Sequence, residues 1–185
     1  VGRQLHVAYQ VNNDPLSSVP TARARIGLEW SSRRVLDNER NARLSGVSLD
    51  LAMTAEGRAA AYVDWVGGTG EVRVARWSGS DDPVQVDTVL PGLLLPEGPG
   101  SYPLALASDG DGRLHLVLMS LARRTLEYHR ETAPGVWLVD VIDDTLPAEP
   151  EGVRVDLVVD AERRVSVAHF SPATGSVHFA TRTME

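Results

Sequence analysis

Two aspartates occupy matching positions in two similar stretches of the chain and are the first candidates for binding chemistry. Asp50 lies in VSLDLAM, and Asp156 lies in VRVDLVV, where Arg154 stands two residues earlier. Carboxylates on strands that line a channel would suit a hard cation or a hydroxylated ligand. The alternative, which we favour, is structural: each carboxylate bonds the backbone of a neighbouring sheet or pairs with Arg154.

A second candidate lies in the segment Asp64-Trp65-Val66-Gly67-Gly68, which we interpret as an exposed loop between two strands. A tryptophan beside a carboxylate can serve as a platform for a sugar or a peptide. Aromatic residues make up only 5% of the chain, which argues against an extensive lectin-like surface. The predicted ligand-binding residues are therefore Asp50, Asp156, Arg154, Asp64 and Trp65.

Metal and catalytic chemistry have weaker support in the sequence. Asp109-Gly110-Asp111-Gly112 resembles a calcium loop in its spaced carboxylates, but a hairpin turn that needs positive φ explains it better. The five histidines are more readily structural than ligands of one metal, and no local signature supports a Ser/His/Asp set. With no cysteine in the chain, thiolate sites are excluded. We predict no catalytic residue, no metal site and no cofactor.

A repeat of about fifty residues positions these candidates. Three stretches begin with an alternating apolar strand, at 47–53, 102–108 and 153–159, and each continues through a polar turn into a second strand. The second strands begin at Ala59, Leu114 and Val165, and an earlier copy, LHVAY, begins at Leu5.

Two more strands complete each repeat. A third strand recurs at 71–77, 126–130 and 176–182, and a fourth begins at Val84 and at Trp137, so that Asp87 aligns with Asp140. In the first copy the third and fourth strands must lie within 22–37.

Four short antiparallel strands per repeat are typical of a β-propeller blade. Strands such as Leu104 to Ala107 are apolar at every position, which suits a blade packed between two others. An immunoglobulin-like sandwich also spaces short strands evenly, but it does not require every fourth strand to repeat the first. We therefore predict an all-β fold of propeller blades.

The repeat gives about 3.5 blades. They are a partial blade at 1–40, two complete blades at 41–92 and 93–145, and a second partial blade at 146–185. The two partial blades overlap rather than complement each other. We expect an arc of a larger propeller, completed by the remainder of a longer polypeptide or by a second chain.

The charge and hydropathy of the chain argue against two classes of partner, nucleic acids and membranes. The formal net charge is -7, which argues against nucleic acid, and no apolar run approaches the length of a membrane helix. All 18 basic residues are arginine, which we interpret as the codon bias of a GC-rich bacterial genome. The expected location is secreted or on the bacterial cell surface.

The pattern of an alternating strand, a D-x-D-G-R or A-E-G-R turn, L-H-V-A-Y, L-E-Y-H-R and a Trp-bearing fourth strand resembles the blades of bacterial sialidase-like propeller repeat proteins. The resemblance runs from Gly2 to Arg182 and implies the architecture only, because no S-x-D-x-G-x-T-W box is present and no catalytic residue of a sialidase matches. We predict a non-catalytic module that binds a protein or a glycan. The alternatives are a glycoside-active propeller using carboxylates at the channel end, and a structural or regulatory arm of a larger polypeptide.

Overall fold

The computed structural model describes residues 5–14, 17–26, 29–30, 34–36, 47–66, 69–79, 82–93, 102–120, 122–146 and 152–184. Within these ranges all regular structure is β, so they contain no helix that could cross a membrane. The fifteen strands form four antiparallel sheets that follow one another along the chain. The all-β prediction is confirmed.

Each sheet is one propeller blade. Blade 1 contains β1 (Leu5–Asp14), β2 (Ser17–Ile26), β3 (Glu29–Trp30) and β4 (Arg34–Val35). Blade 2 contains β5 (Val47–Met53), β6 (Arg58–Val66), β7 (Thr69–Trp77) and β8 (Gln85–Leu93). Blade 3 contains β9 (Leu104–Ser108), β10 (Leu114–Ser120), β11 (Thr125–Ala133) and β12 (Val136–Asp143). Blade 4 contains β13 (Arg154–Val159), β14 (Arg164–Ser171) and β15 (Ser176–Thr183).

Blades 2 to 4 are meanders in which each strand pairs with the next, and the first strands β5, β9 and β13 pack side by side. This connectivity excludes a sandwich, whose two sheets exchange strands. In blade 1 the third strand, β2, begins at Ser17, ahead of the predicted segment 22–37. Its pairing with β1 fixes that boundary, which the weak sequence match could not show.

Blades 2 and 3 bury both faces of their central strands. In β10, Leu114, Leu116 and Leu118 pack against blade 2, whereas Val117 and Met119 pack against blade 4. Because successive side chains of a strand point to opposite faces, a strand between two blades is buried at every position, and its few polar side chains, such as His115, need partners inside the protein.

A third cluster fills the space between blades 1 and 2. It joins Leu36 to Tyr62, Ala75 and Trp77 of blade 2. The hydrophobic core is therefore divided into layers between blades, and the features shared by two blades are the places to look for a binding site.

Candidate functional site

Asp50 connects blade 2 to blade 3. Its Oδ1 accepts a hydrogen bond of 2.8 Å from the backbone N–H of Leu51, and its Oδ2 accepts one of 2.7 Å from the N–H of Leu106 in β9. Two residues earlier, the hydroxyl of Ser48 accepts a hydrogen bond from the N–H of Tyr102. The structural interpretation of Asp50 therefore matches its contacts, since both carboxylate oxygens bind backbone donors.

Asp156 of blade 4 makes the same hydrogen bond to the next residue as Asp50 does but, among the described residues, not the one to a neighbouring blade. Its Oδ1 accepts a hydrogen bond of 2.9 Å from the N–H of Leu157, and its side chain is exposed. The guanidinium of Arg154 donates to the carbonyl of Val153. Blade 3 separates these two residues from Asp50, so the structure does not gather the three into one site.

Asp64 does not lie in a loop, which corrects the sequence interpretation. It is a residue of β6, fully buried, and its Oδ2 lies 3.2 Å from the guanidinium of Arg73. The backbone of Trp65 also belongs to β6 and pairs with Gly70, whereas its side chain lies outside the described residues. The strand continues to Val66 because its ladder with β7 is unbroken to that point.

The Asp109 turn is a hairpin turn rather than a calcium loop. Asp109 Oδ1 accepts hydrogen bonds from the N–H groups of Asp111 and Arg113, and Gly112 has a φ of +82°. The corresponding turn in blade 4 uses Asp160 in the same way, with Arg163 at a φ of +60°. Asp109 Oδ1 is thus occupied by backbone donors, and the carboxylate of Asp111 accepts a hydrogen bond from Arg163, as expected for a turn and not for a calcium loop.

A cleft between blades 3 and 4 is the feature that the sequence did not reveal. It has a volume of about 240 Å³ and is lined mainly by apolar side chains. The lining comprises Tyr128, Val141, Ile142, Val165, Val167, Ala180 and Thr181 together with the charged residues Asp140 and Arg182.

The charged pair of the cleft bridges two blades. Arg182 of β15 donates a hydrogen bond to Asp140 Oδ2 of β12, and each side chain is about half exposed. The alignment of Asp87 with Asp140 was the one sequence signal for this position. In blade 2 the equivalent Asp87 accepts from Arg76, which also reaches Glu131 of blade 3. The pair of Asp87 with Arg76 therefore lies within blade 2, whereas the pair of Asp140 with Arg182 crosses from blade 3 to blade 4.

Tyr128 forms part of the cleft and leads to a buried polar chain. Its hydroxyl lies 2.6 Å from Nδ1 of His115, whose Nε2 lies 3.4 Å from Asp109 Oδ2. Burial lowers the pKa of His115 in spite of Asp109, and burial raises the pKa of Tyr128 to about 12. At neutral pH both groups are uncharged, so the chain positions the phenol and does not supply a phenolate nucleophile.

A second hollow, of about 480 Å³, lies beside the turn between β5 and β6. Arg58, Arg76 and Trp77 are among its lining residues. Arg58 donates to Nδ1 of His6 and to the carbonyl of Ser78, so its guanidinium is engaged within the protein. This hollow is more polar than the cleft, and its arginines serve contacts between strands and blades.

Comparison with known proteins supports the architecture. No protein-family model matches the chain, and no curated protein matches it. Solved structures similar to it include the following two. A triple arginine-to-alanine variant of AofleA from Arthrobotrys oligospora has a TM-score of 0.61 at 13% identity, covering 97% of this chain and 50% of its own. A lysine-to-glycine variant of NanB sialidase from Streptococcus pneumoniae has a TM-score of 0.50 at 8% identity, covering 91% of this chain and 27% of its own.

These similarities place the chain in the class of β-propeller structures, with an architecture like that found in a sialidase. The chain spans half the length of the AofleA structure and about a quarter of the NanB structure. At 13% and 8% identity the likeness concerns the fold alone.

Proposed function

We propose that the chain is a non-catalytic propeller module that binds a glycan in the cleft between blades 3 and 4. The observation that carries the proposal is the ion pair of Arg182 with Asp140 beside an apolar wall that includes Val141 and Val167. Ligand sites combine a mostly apolar surface with a few polar groups that fix orientation.

The chemistry of the cleft suits a sugar. A carboxylate accepts hydrogen bonds from two vicinal hydroxyls, a guanidinium donates to ring or hydroxyl oxygens, and apolar side chains cover the C–H face of the ring. The volume of about 240 Å³ is just below the usual range for ligand pockets, so one terminal sugar unit fits better than an extended chain. With this function we also propose a secreted or cell-surface location.

The test compares two arginines with similar surroundings. Arg182 and Arg164 have side chains that are 57% and 56% exposed, and each lies near an aspartate, but only Arg182 lines the cleft. After a glycan array identifies a ligand, titration with Arg182→Gln should give at least about tenfold weaker binding. Arg164→Gln should bind as the unmodified chain does.

The proposal fails if no glycan binds or if both variants lose affinity equally. Binding to a peptide array in place of the glycan array would instead favour a protein ligand, the other half of the sequence prediction.

The glycoside-active alternative ranks lower. An acid and base pair needs two carboxyl groups about 5 to 9.5 Å apart with freedom to exchange protons. Asp50 uses both oxygens for backbone hydrogen bonds, and Asp156 belongs to a different blade. Turnover of a fluorogenic glycoside that is lost in Asp50→Asn and Asp156→Asn would favour the enzyme over the binding module.

A further inference from the structure

A cluster of two histidines and one aspartate lies where β12 of blade 3 meets β14 and β15 of blade 4. Asp143 Oδ2 lies 3.0 Å from His169 Nε2, and potential ligand atoms of Asp143, His169 and His178 all lie within 4.8 Å of one another. His169 and His178 are cross-strand partners, and their rings stack with centroids 4.8 Å apart. From this juxtaposition we infer a binding site for a divalent transition-metal ion, with Zn²⁺ as the best match.

The donor set is the first argument. Imidazole nitrogens and a carboxylate oxygen are ligands that Zn²⁺ accepts, and three protein ligands leave a fourth position for water. Metal–ligand bonds of about 2.0–2.2 Å in a tetrahedral site place ligand atoms about 3.4 Å apart. The separation of Asp143 and His169 already approaches that value, and His178 is exposed, so its ring can turn to close the remaining distance.

The surroundings of the cluster orient its members. Thr145 donates to Asp143 Oδ1 from its N–H at 2.8 Å and from its hydroxyl at 2.6 Å, which leaves Oδ2 directed at the histidines. A metal-bound carboxylate needs this kind of support from neighbouring donors.

The orientation of His169 is the third argument. The residue is 4% exposed, and its Nε2 faces Asp143 Oδ2 at 3.0 Å. When Nε2 binds a metal, Nε2 offers its lone pair and the ring proton resides on Nδ1. Within the described part of the chain Nδ1 is buried without a hydrogen-bond partner, so the geometry of Nε2 and not a contact of Nδ1 supports the site.

Tag-free protein should be titrated with Zn²⁺ by calorimetry at neutral pH after treatment with a chelator. We expect one ion per chain with micromolar or tighter affinity and a rise in melting temperature. His178→Gln should weaken binding by at least about tenfold and abolish that rise. The matched control is His6→Gln, because His6 lies on β1 beside Arg58 and outside the cluster.

Substitution of Co²⁺ gives a readout that does not depend on stability. The visible absorption of tetrahedral Co²⁺ should appear with the unmodified chain and disappear with His178→Gln. Absence of Zn²⁺ binding, or equal affinity in His178→Gln and the unmodified chain, would overturn the assignment.

A second inference rests on the repeat rather than on the cluster, and it concerns the outer face of blade 4. Val72 and Val74 of β7 are fully buried beneath blade 3, and Leu126 and Tyr128 of β11 are buried beneath blade 4. The residues at the same register of β15 are Val177 and Phe179, which are 73% and 69% exposed.

Asp156 lies on this same outer face. Its equivalent in blade 2, Asp50, uses Oδ2 to accept a backbone N–H from the first strand of the next blade. Asp156 Oδ1 accepts the hydrogen bond from the N–H of Leu157, and the side chain that carries Oδ2 is exposed. The face therefore repeats both the apolar and the polar parts of an interface between blades.

We propose that the outer face of blade 4 binds a blade of a second copy of this chain. The AofleA structure is twice as long as this chain and shares its fold, so two copies supply the amount of chain found in that structure. Light scattering after size-exclusion chromatography should give twice the 20.0 kDa of one chain. Val177→Asp should restore the single-chain mass.

The matched control is Val136→Asp, because Val136 is a similarly exposed valine on β12, away from the outer face of blade 4. It should leave the doubled mass unchanged. A single-chain mass at every concentration would overturn the proposal. Equal loss of the doubled mass in both valine variants would also overturn it.

Discussion

Asp50 of β5 accepts a 2.7 Å hydrogen bond from the backbone N–H of Leu106 in β9, so one side chain joins the first strands of two successive blades. The apolar layer between these blades is non-directional, whereas this hydrogen bond fixes their relative register. Ser108 reinforces it at the other end of the strand by donating to the carbonyl of Met53.

Loss of the Asp50 carboxylate should therefore destabilise the protein. Asp50→Ala leaves the N–H of Leu106 without this acceptor, and we expect the free energy of unfolding to fall by about 1–3 kcal/mol. Asp156→Ala is the matched control at a concentration where the protein is a single chain, since its carboxylate there bonds only the adjacent N–H of Leu157 in the described part of the chain. Urea denaturation should show the larger loss for Asp50, and equal losses would contradict the role assigned to it.

The buried histidines should make the protein sensitive to acid. Burial lowers the pKa of His115 and of His129, against the opposing effects of Asp109 and Glu127. Because the unfolded chain binds the proton more readily, their contribution to stability is complete above the unfolded pKa of about 6.5 and is lost as the pH falls below it.

Unfolding free energies measured from pH ~7 to ~5 should decline for the unmodified chain. His115→Gln should show a shallower decline, because the group that gains a proton on unfolding has been removed. Parallel curves for the two proteins would show that His115 does not contribute.

Tyr128 should confer the opposite dependence at alkaline pH. Its folded pKa is raised to about 12 from the ordinary 10.0 by burial, so the folded state holds the phenol proton more tightly. Stability is complete below about pH 10 and is lost as the pH rises toward 12. Tyr128→Phe should reduce the alkaline loss measured by circular dichroism, and an unchanged alkaline transition would contradict this account.

The turn before β10 tests the conformational explanation of its glycines. Gly112 has a φ of +82°, and a Cβ there would lie 3.2 Å from the backbone nitrogen of Ala55. Gly112→Ala should therefore reduce the free energy of unfolding by about 1–2 kcal/mol or more. Gly110→Ala is the control in the same turn, because a Cβ there meets nothing within 4 Å. It should change stability by less than about 0.5 kcal/mol, and a similar loss in both variants would contradict the explanation.

The prediction of blades succeeded where the local backbone conformation, a strand or a tight turn, requires particular residue types. The alternation in β5, β9 and β13 and the turn residues Asp109 and Gly112 are local constraints that any chain of this pattern must meet. The prediction failed for Asp64, because Gly67-Gly68 suggested a long loop, whereas the ladder between β6 and β7 keeps Asp64 inside the strand.

The candidate sites could not be predicted from the sequence, because their residues come from two different blades. The pairing of Arg182 with Asp140 joins residues 42 positions apart, and Asp143 meets His169 across 26 positions. Nothing in the local pattern of either segment specifies the other, since these contacts depend on the rotation and spacing of two adjacent sheets.

The amino-acid sequence by itself determined the strands, the turns and the repeat. Period-two alternation and positive-φ positions depend on residues that are close together in the chain, and the fifty-residue period is a regular spacing of such segments. The sequence also indicated the central strands of blades 2 and 3, which are buried on both faces. Only the tertiary structure decided which carboxylates bind backbone and which meet a guanidinium or an imidazole, and which face of blade 4 is exposed. The physical reason is that apolar layers between the blades set the distance between two sheets but do not select pairs of polar residues. A polar side chain therefore meets its partner only when a second blade is packed against it.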